Sequence, residues 1–253
     1  MVDKYKTGVV WGHPIISLEE FLKRPDCKEY LLIVTAGKEN IRNEIKAELE
    51  SYGLNCIFGY PDLLFFDQDY FDLPYLDLQD EFFVDAGALD GDSTISMFKF
   101  CKEGSHSYVI EPSPEQFAHT QECLKNYPNV EYFQCGLYDE NTTLHFDATD
   151  TTGAARVTED GNITIEARKL DDLLQSKKVT FIKMDIEGSE LAALRGAEQI
   201  IREQRPKLAI CVYHKLEDIW EIPSLILSYC PEYKLYLRHY SMSDIETVLY
   251  AIP

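Results

Sequence analysis

The sequence has few basic residues, and this deficit excludes several classes of partner. Lys and Arg together number 24 among 253 residues, against 44 Asp and Glu, which gives a formal net charge of −20 at pH 7. Phosphate binding depends on clustered Lys and Arg, so the balance argues against nucleic acid and against an anionic membrane surface as main partners. We expect most of the acidic excess to lie on a solvated surface.

Long apolar runs and paired cysteines are also lacking. The longest apolar runs, such as 208–212, are far shorter than the roughly 20 residues of a membrane-spanning helix. The seven cysteines are widely spaced, odd in number and form no CxxC pair, which argues against a disulfide framework and a zinc site. The N-terminus shows no charged-then-apolar signal pattern. We therefore expect a cytoplasmic protein in a reducing compartment, with no membrane segment.

The residues that are present suffice for a folded core, because 45% are hydrophobic and 12% aromatic. Within an N-terminal segment over 1–58, apolar periodicity predicts a strand at 31–35, a helix at 38–52 and a strand at 54–58. This β-α-β unit resembles the second half of a nucleotide-binding domain without its glycine-rich turn, so we interpret it as a structural appendage. Residues 59–80, rich in Asp and aromatics, are predicted to be a linker with a short helix that packs on the next domain.

Residues 81–253 alternate between strand and helix patterns, which predicts a mostly parallel sheet covered on both faces. Two strand-like runs near the C-terminus are joined by a short loop and predict an antiparallel hairpin at the far edge of that sheet. The expected α/β architecture is a Rossmann-like methyltransferase fold, with a seven-stranded sheet whose last strand is antiparallel. The predicted strands are 82–84, 108–110, 130–135, 179–184, 208–213, 234–239 and 247–250; the predicted helices are 93–101, 114–126, 189–203 and 222–229; 142–169 is predicted to be hairpin-like.

The turn after the first of these strands is a candidate ligand site, because α/β sheets bind ligands at the carboxyl ends of their strands. Gly87 and Gly91 allow a close backbone approach to a ligand. Asp85 stands where dinucleotide-binding motifs have their first glycine, and a carboxylate there disfavours a pyrophosphate but suits a cationic ligand such as S-adenosylmethionine. An ordinary strand-turn-helix capped by Asp92 or Ser93 has the same pattern. The cofactor residues predicted from this turn are Asp85, Gly87, Asp90, Ser93 and Thr94.

The next two strand ends supply further candidates. Glu111 follows Gly91 by about 20 residues, the spacing of an acid that accepts hydrogen bonds from ribose hydroxyls. Both NAD and S-adenosylmethionine contain that ribose, so Glu111 predicts an adenosyl ligand without choosing between them. The third strand ends where contacts with the adenine edge would fall. The cofactor residues predicted here are Glu111, Ser113, Cys135 and Gly136.

Three acids surround the end of the fourth strand. Asp185 and Glu187 reach the same sheet edge as Asp85, and carboxylates gathered there repel one another unless a cation, a donor or a proton is near. They could orient a methionine ammonium group, bind Mg²⁺ or deprotonate an acceptor hydroxyl. We expect Asp185 to lie in the site and Glu190 only to support the dipole of the following helix, and we assign no metal ligand.

The fifth strand ends at Tyr213 and His214, which would face the same crevice. Histidine is the usual general base near neutral pH, although a structural role is equally compatible with one histidine at this position. Asp185 and His214 are the predicted catalytic residues, and Asp185 is also a predicted cofactor residue. Glu187, Tyr213 and His239 are the predicted residues of the acceptor pocket.

Several of these motifs together resemble the FkbM family of methyltransferases over about residues 80–252. The matching runs are FIKMDIEG at 181–188, LRGA at 194–197, PKLAI at 206–210, YHK at 213–215, VDAG at 84–87 and IEP at 110–112. The resemblance implies S-adenosylmethionine as cofactor, with cofactor roles for Asp85, Gly87, Glu111 and Asp185. It also implies O-methylation of a hydroxyl on a sugar or secondary-metabolite type of small molecule.

Two other functions stay open at this point. A nicotinamide-dependent oxidoreductase would share the ribose-binding acid, and a cofactor-binding or assembly module without catalysis would share the whole fold. The sequence leaves undetermined the acceptor, a homo-oligomeric state, a need for Mg²⁺ and the choice of general base.

Overall fold

The computed structural model describes residues 2, 8–10, 13–34, 39–58, 70–102, 104–147, 156–157, 163–241 and 245–253. The chain divides into two compact units, Met1–Phe66 and Asp67–Pro253, so the division falls within the segment 59–80 that the sequence predicts as a linker. Residues 59–69 of this segment lie outside the described residues. None of the helices in the described ranges has the length and apolar character needed to cross a membrane.

The first unit contains the predicted β-α-β appendage, preceded by a short hairpin and a short helix. Ser17 caps that helix, because its side chain accepts a hydrogen bond from the backbone N–H of Glu20. Phe21, Val34 and Leu49 belong to a small apolar core within this unit. In chain order the elements are β1 (Gly8–Val10), β2 (His13–Ile15), α1 (Leu18–Leu22), a 3₁₀ turn (Cys27–Glu29), β3 (Leu31–Val34), α2 (Glu39–Ser51) and β4 (Asn55–Phe58), with β1–β2 antiparallel and β3–β4 parallel.

The second unit alternates strands and helices as expected. In chain order its elements are β5 (Phe82–Ala86), α3 (Asp92–Phe100), β6 (His106–Ile110), α4 (Pro114–Leu124), β7 (Val130–Phe133), β8 (Gly136–Leu137), β9 (Thr142–Asp147), β10 (Arg156–Val157), β11 (Ile163–Arg168), α5 (Leu170–Leu173), β12 (Phe181–Met184), α6 (Glu190–Arg195), α7 (Glu198–Gln204), β13 (Lys207–Cys211), α8 (Asp218–Tyr229), β14 (Lys234–His239) and β15 (Thr247–Ile252).

Seven of these strands form one sheet in the order β14-β15-β13-β12-β5-β6-β7. The pairs from β13 to β7 are parallel, and β15 runs antiparallel to both β13 and β14. Phe83, Phe181 and Ile210 are fully buried in its central strands, as expected for strands covered on both faces. This arrangement confirms the predicted Rossmann-like methyltransferase fold with an antiparallel last strand.

Two stretches differ in detail from the pattern in the sequence. The helix expected over 189–203 is two short helices, α6 and α7, with the break at Gly196 and Ala197. The chain at Gly196 passes so close to Tyr138 that a Cβ would lie 2.0 Å from its carbonyl oxygen, which requires a glycine there. The hairpin-like stretch 142–169 contains β9 and β11, which pair antiparallel in a second sheet of order β10-β9-β11-β8. Residues 148–155 and 158–162, between these strands, lie outside the described residues.

The described aromatic residues near 70–75 have two different environments. Tyr70 and Phe71 are buried, and the Phe71 ring lies 5.8 Å from the Phe83 ring. Tyr75 is 61% exposed and stacks on Tyr236 with the ring centroids 5.1 Å apart. The first two residues therefore belong to the core of the second unit. The aromatic residues at 60, 65 and 66 lie outside the described ranges.

Candidate functional site at the strand ends

The carboxyl ends of the central parallel strands meet at one edge of the sheet. Register pairs Lys183 of β12 with Asp85 of β5, and Ala86 of β5 with Ile110 of β6. Hydrogen bonding continues past the strands, since the N–H of Gly87 donates to the carbonyl of Ile110 at 3.0 Å. The turn after β5, the end of β6 and the end of β12 therefore lie side by side, which is the juxtaposition expected of a ligand site in this fold.

Asp85 lies in the core and is paired with Lys183, a residue to which the sequence analysis assigned no role. Both side chains are buried, and Oδ1 of Asp85 accepts a hydrogen bond from Nζ of Lys183 at 3.2 Å while Oδ2 accepts one from Thr94 at 2.8 Å. Nζ of Lys183 also donates to the carbonyl of Gly87 at 2.8 Å. Burial lowers the pKa of Lys183, but the carboxylates of Asp85 and Asp185 raise it by more, so the amine stays charged.

This pairing changes the electrostatic argument for Asp85. Lys183 balances the negative charge of Asp85 inside the protein, whereas from the sequence we expect that charge to face a cationic ligand. The contacts place Asp85, Thr94 and Lys183 beneath the glycine turn, where they support its shape. A sequence signal for Lys183 did exist, because it is the one charged residue within the apolar strand Phe181–Met184 and shares strand parity with Asp185.

Gly87 is required by a backbone contact as well as by the turn. Its φ is +74°, and a Cβ at this position would lie 1.8 Å from the carbonyl oxygen of Asp185. A side chain would therefore push the β5 turn away from the end of β12. From the sequence we expect the glycine to let a ligand approach the backbone. In the structure the space that a side chain would need is occupied by the backbone of Asp185.

Glu111 connects the end of β6 to the glycine turn. The carboxylate is 6% exposed; Oε1 accepts a hydrogen bond from the N–H of Ser113 at 2.9 Å and Oε2 accepts one from the N–H of Leu89 at 3.2 Å. Burial raises the pKa of Glu111, and these two backbone hydrogen bonds oppose the shift. The acid predicted to bind a ribose therefore lies at the predicted strand end and against the turn.

The other predicted cofactor residues are spread around this turn. Asp90 accepts a hydrogen bond from the N–H of residue 92 at 3.1 Å, Ser93 is in the first turn of α3, and Ser113 caps α4. Cys135 is buried, and burial raises its pKa to about 11. Gly136 begins β8, where it pairs with β11. Ser113 is linked to the turn through Glu111, while Cys135 and Gly136 follow the neighbouring strand β7.

Beyond β12, four side chains form what we call the acid–histidine cluster: Asp185, Glu187, Glu190 and His214. Nε2 of His214 lies 3.5 Å from Oδ1 of Asp185 and 3.5 Å from Oε2 of Glu187. Nδ1 lies 2.9 Å from Oε1 of Glu190, but not in the direction that a ring hydrogen bond requires. Burial lowers the pKa of His214, and the carboxylates, Glu190 first, raise it by more, so its pKa lies above the ordinary value.

Two tyrosines hold Asp185 in position. The hydroxyl of Tyr70 donates to Oδ2 at 3.0 Å, and the hydroxyl of Tyr213 donates to Oδ1 at 3.1 Å. Burial raises the pKa of both phenols, so they remain protonated donors. Tyr213 was expected in the acceptor pocket, whereas Tyr70 was missed because its segment offered only an aromatic composition.

Glu190 belongs to the cluster, which corrects the expectation that it only supports a helix dipole. Its side chain is fully buried, and Oε1 accepts a hydrogen bond from the N–H of Ile186 at 2.8 Å. Asp218 at the start of α8 was also missed; it is buried, and burial together with the charge of Glu190 raises its pKa to about 6. A polar residue in the first turn of a helix gives no sequence signal of this kind, because the contact arises from the packing of α8 on α6.

A cavity of about 410 Å³ opens beside the cluster. Glu187 and His214 form part of its wall, together with charged groups of both signs and a phenol; these further residues are Tyr138, Asp139, Arg195 and Lys215. His239, a predicted acceptor residue, lies elsewhere. It ends the edge strand β14, where its Nδ1 lies 2.8 Å from the hydroxyl of Thr247, and β15 and β13 separate it from β12.

The chain is similar to known methyltransferases in both sequence and fold. The family model described as "Methyltransferase FkbM domain" matches residues 85–241. A protein of Beauveria bassiana (strain ARSEF 2860) named Methyltransferase 1 is 29% identical over 166 residues, a match that covers 53% of this chain and 65% of that relative, so the chain spans less than two thirds of the relative's length. The crystal structure of a methyltransferase FkbM from Methylobacillus flagellatus KT matches with a TM-score of 0.65 and 22% identity, over 99% of this chain and 82% of that one. At this identity the structural match shows a shared fold.

Proposed function

The chain belongs to the FkbM methyltransferase family, and from that membership we propose that it is an S-adenosylmethionine-dependent methyltransferase that acts on a hydroxyl of a small molecule of the sugar or secondary-metabolite type. The observation that carries the proposal is the sheet edge itself. It joins the Gly87 turn and Glu111 on one side to Asp185 and His214 on the other, with a cavity next to the latter pair.

The residues around the glycine turn fit an adenosyl ligand. Each oxygen of Glu111 accepts one backbone hydrogen bond, which leaves further lone pairs on the carboxylate for two ribose hydroxyls. These contacts of Glu111 fit the adenosine of S-adenosylmethionine or of NAD, and membership of the methyltransferase family favours S-adenosylmethionine. Bound S-adenosylmethionine supplies an electrophilic methyl group on a positively charged sulfonium. We assign its binding to Gly87, Asp90, Ser93, Glu111, Ser113, Cys135, Gly136 and Asp185, with Asp85 and Thr94 supporting the turn from below.

The cavity beside the cluster is our candidate for the acceptor site. Its volume of about 410 Å³ lies within the range of small-molecule pockets, and its wall combines apolar side chains, such as Leu191, with charged and hydroxyl groups that suit a hydroxylated acceptor. Glu187 and His214 line it, and Asp185 lies 3.5 Å from the imidazole. We assign the general base to His214 or Asp185. Both ring nitrogens of His214 are buried, so the imidazole must turn toward the cavity to reach an acceptor hydroxyl. A general base of this kind contributes about 10²–10⁴-fold to a rate. Tyr213 orients Asp185 for either role.

Ligand binding tests the cofactor. S-adenosylhomocysteine should raise the melting temperature of the purified protein and NAD should not, because a ligand stabilises only the state that binds it. Glu111→Gln should weaken that binding at least tenfold, while Glu115→Gln, an exposed acid on α4, should leave it unchanged. Stabilisation by NAD and not by S-adenosylhomocysteine would instead favour the oxidoreductase.

Turnover tests the catalytic part. Native mass spectrometry of the purified protein can identify a retained ligand and narrow the panel of hydroxylated acceptors. With an accepted substrate, Asp185→Asn should abolish methyl transfer, and the exposed Asp172→Asn should not change it. Cofactor binding without transfer to any acceptor in a broad panel would favour the non-catalytic module.

A further inference from the structure

The acid–histidine cluster contains most of the buried polar atoms that lack a partner. Within the described part of the chain, four buried side-chain atoms have no hydrogen-bond partner: Oε2 of Glu190, both ring nitrogens of His214 and Oδ2 of Asp218. Buried polar groups in folded proteins are almost always hydrogen-bonded, so a concentration of exceptions at one place needs an explanation. Three of these four atoms belong to two residues of the cluster, and Asp218 lies next to them.

The charges of the cluster point to a cation. Three carboxylates face one imidazole, so the cluster is net negative whether His214 is neutral or protonated. Lys183, the buried amine two residues before Asp185, already donates to Asp85 and to backbone carbonyls. The Glu190 carboxylate is fully buried and the His214 side chain is 9% exposed, and buried charges are costly unless they are paired or coordinate a metal ion.

The spacing of the donor atoms suits a single ion. Asp185, Glu190 and His214 each offer one ligand atom, and these atoms all lie within 4.8 Å of one another. Metal–oxygen and metal–nitrogen bonds of about 2.0–2.2 Å place opposite ligands of one ion about 4 Å apart, so a small inward movement of the side chains completes the site. Glu190 is fully buried and His214 is nine-tenths buried, so both donors are held in place before an ion arrives.

We propose that Asp185, Glu190 and His214 bind a divalent first-row transition-metal ion, with Mn²⁺ as the probe of choice. Mixed carboxylate and imidazole ligands favour ions from Mn²⁺ to Zn²⁺ over Mg²⁺, which prefers oxygen ligands and keeps several of its waters. Binding of the ion rests on the cluster alone. Its use in methyl transfer rests on the proposed function, because Glu187 and His214 border the cavity and an ion there would lie within reach of an acceptor oxygen.

The test is titration of the full chain, freed of metal with EDTA, with Mn²⁺ while the EPR signal of free Mn²⁺ is recorded. We expect one ion to bind per chain, and Glu190→Gln and His214→Asn each to weaken binding at least tenfold. His119→Asn, an exposed histidine, and Glu115→Gln are the matched controls and should bind as the parent does. If His214→Asn fails to fold, the isosteric Glu190→Gln still tests the site, since its amide oxygen can accept the hydrogen bond from Ile186.

Binding of no ion below millimolar Mn²⁺, or equal affinity in Glu190→Gln and the parent, would overturn the site. The same metal-free sample should also be tested for stabilisation by S-adenosylhomocysteine. Stabilisation without Mn²⁺ binding removes the metal site and keeps the proposed function, whereas Mn²⁺ binding without stabilisation keeps the metal site and removes the proposed cofactor. The two proposals therefore fail separately.

Discussion

Two groups of buried and partly buried ionisable side chains lie next to each other at the end of β12, and they are built in opposite ways. In the first group, Asp85 has Lys183 on one oxygen and Thr94 on the other. In the second, the acid–histidine cluster, three carboxylates surround His214, and buried atoms of Glu190 and His214 have no hydrogen-bond partner. The polar atoms of the first group are all paired within the chain, whereas the second group contains buried atoms without a hydrogen-bond partner.

This difference in pairing distinguishes a group that stabilises the fold from a group that can bind a ligand. A buried charge whose partner lies in the same chain stabilises a fixed shape, here the glycine turn to which Lys183 also donates. A buried charge without such a partner raises the free energy of the folded state until a ligand or a proton offsets the cost. Strongly coupled, incompletely paired groups of this kind are found at functional sites. Each of the following changes tests whether the two groups differ in this way.

The largest effect should follow from Lys183→Met, which leaves the Asp85 carboxylate buried without its partner. We expect a loss of about 3–5 kcal/mol in the free energy of unfolding, the usual range when one member of a buried pair is removed. Denaturant titration measures it. Combining the change with Asp85→Asn should recover part of the loss, because no unpaired charge then remains. A loss below about 1 kcal/mol would show that the pair does not support the turn.

A smaller effect on the free energy of unfolding should follow from Glu190→Gln. The substitution removes a buried charge that has an unpartnered oxygen and keeps an acceptor for the N–H of Ile186, so it should be neutral or stabilising. We expect the free energy of unfolding of the metal-free protein to rise or to change by less than about 1 kcal/mol. The matched comparison is Asp85→Asn alone, which should be destabilising. If both changes cost the same, the contrast between the two groups is wrong.

The smallest effect on the free energy of unfolding should come from a solvent-accessible ion pair, Glu131 with Lys177. This pair belongs to neither group and serves as a reference for both. Glu131 accepts hydrogen bonds from Lys177 at 2.8 and 2.6 Å, and its Oε1 lies 3.1 Å from Nε2 of His106. Glu131→Gln should lower the free energy of unfolding by about 0.2–1 kcal/mol at neutral pH and low salt, and by less at high salt.

The pH dependence of this reference has a definite sign. The hydrogen bond with Lys177 lowers the pKa of Glu131 in the folded state. Its contribution is therefore complete above the unfolded-state pKa and is lost as the pH falls through the lower folded-state pKa. Denaturant titrations of Glu131→Gln and the parent should converge once the pH is below the folded-state pKa of Glu131; a difference that persists in strong acid would contradict this assignment.

Much of the fold could be predicted from periodicity, because strands buried on both faces give continuous apolar runs. The strands of the main sheet and the antiparallel last strand were predicted in this way. The helix expected over 189–203 was predicted as one element, since its apolar stripe continues through Gly196. In the structure the helix is interrupted at Gly196, where the chain lies against Tyr138, and that contact joins residues about 60 positions apart, a separation that local pattern reasoning does not see.

Some features of the candidate site could likewise be predicted from the sequence, and others could not. Asp185, His214 and Glu111 could be placed at one edge from the sequence, because parallel strands bring their carboxyl ends together. The neutralisation of Asp85, the hydrogen bond from Tyr70 and the inward position of Glu190 could not, since each depends on which side chains become neighbours across the sheet and on the rotamers they adopt.

The sequence by itself therefore determined the fold class, the edge of the sheet that carries the chemistry and the residue types available there. These follow from local periodicity and from the direction of the strands. The tertiary structure alone decided which of the acids are matched by a partner. Pairing of buried charges is a property of distances between residues that lie as far apart as 85 and 183, and those distances exist only once the strands have packed.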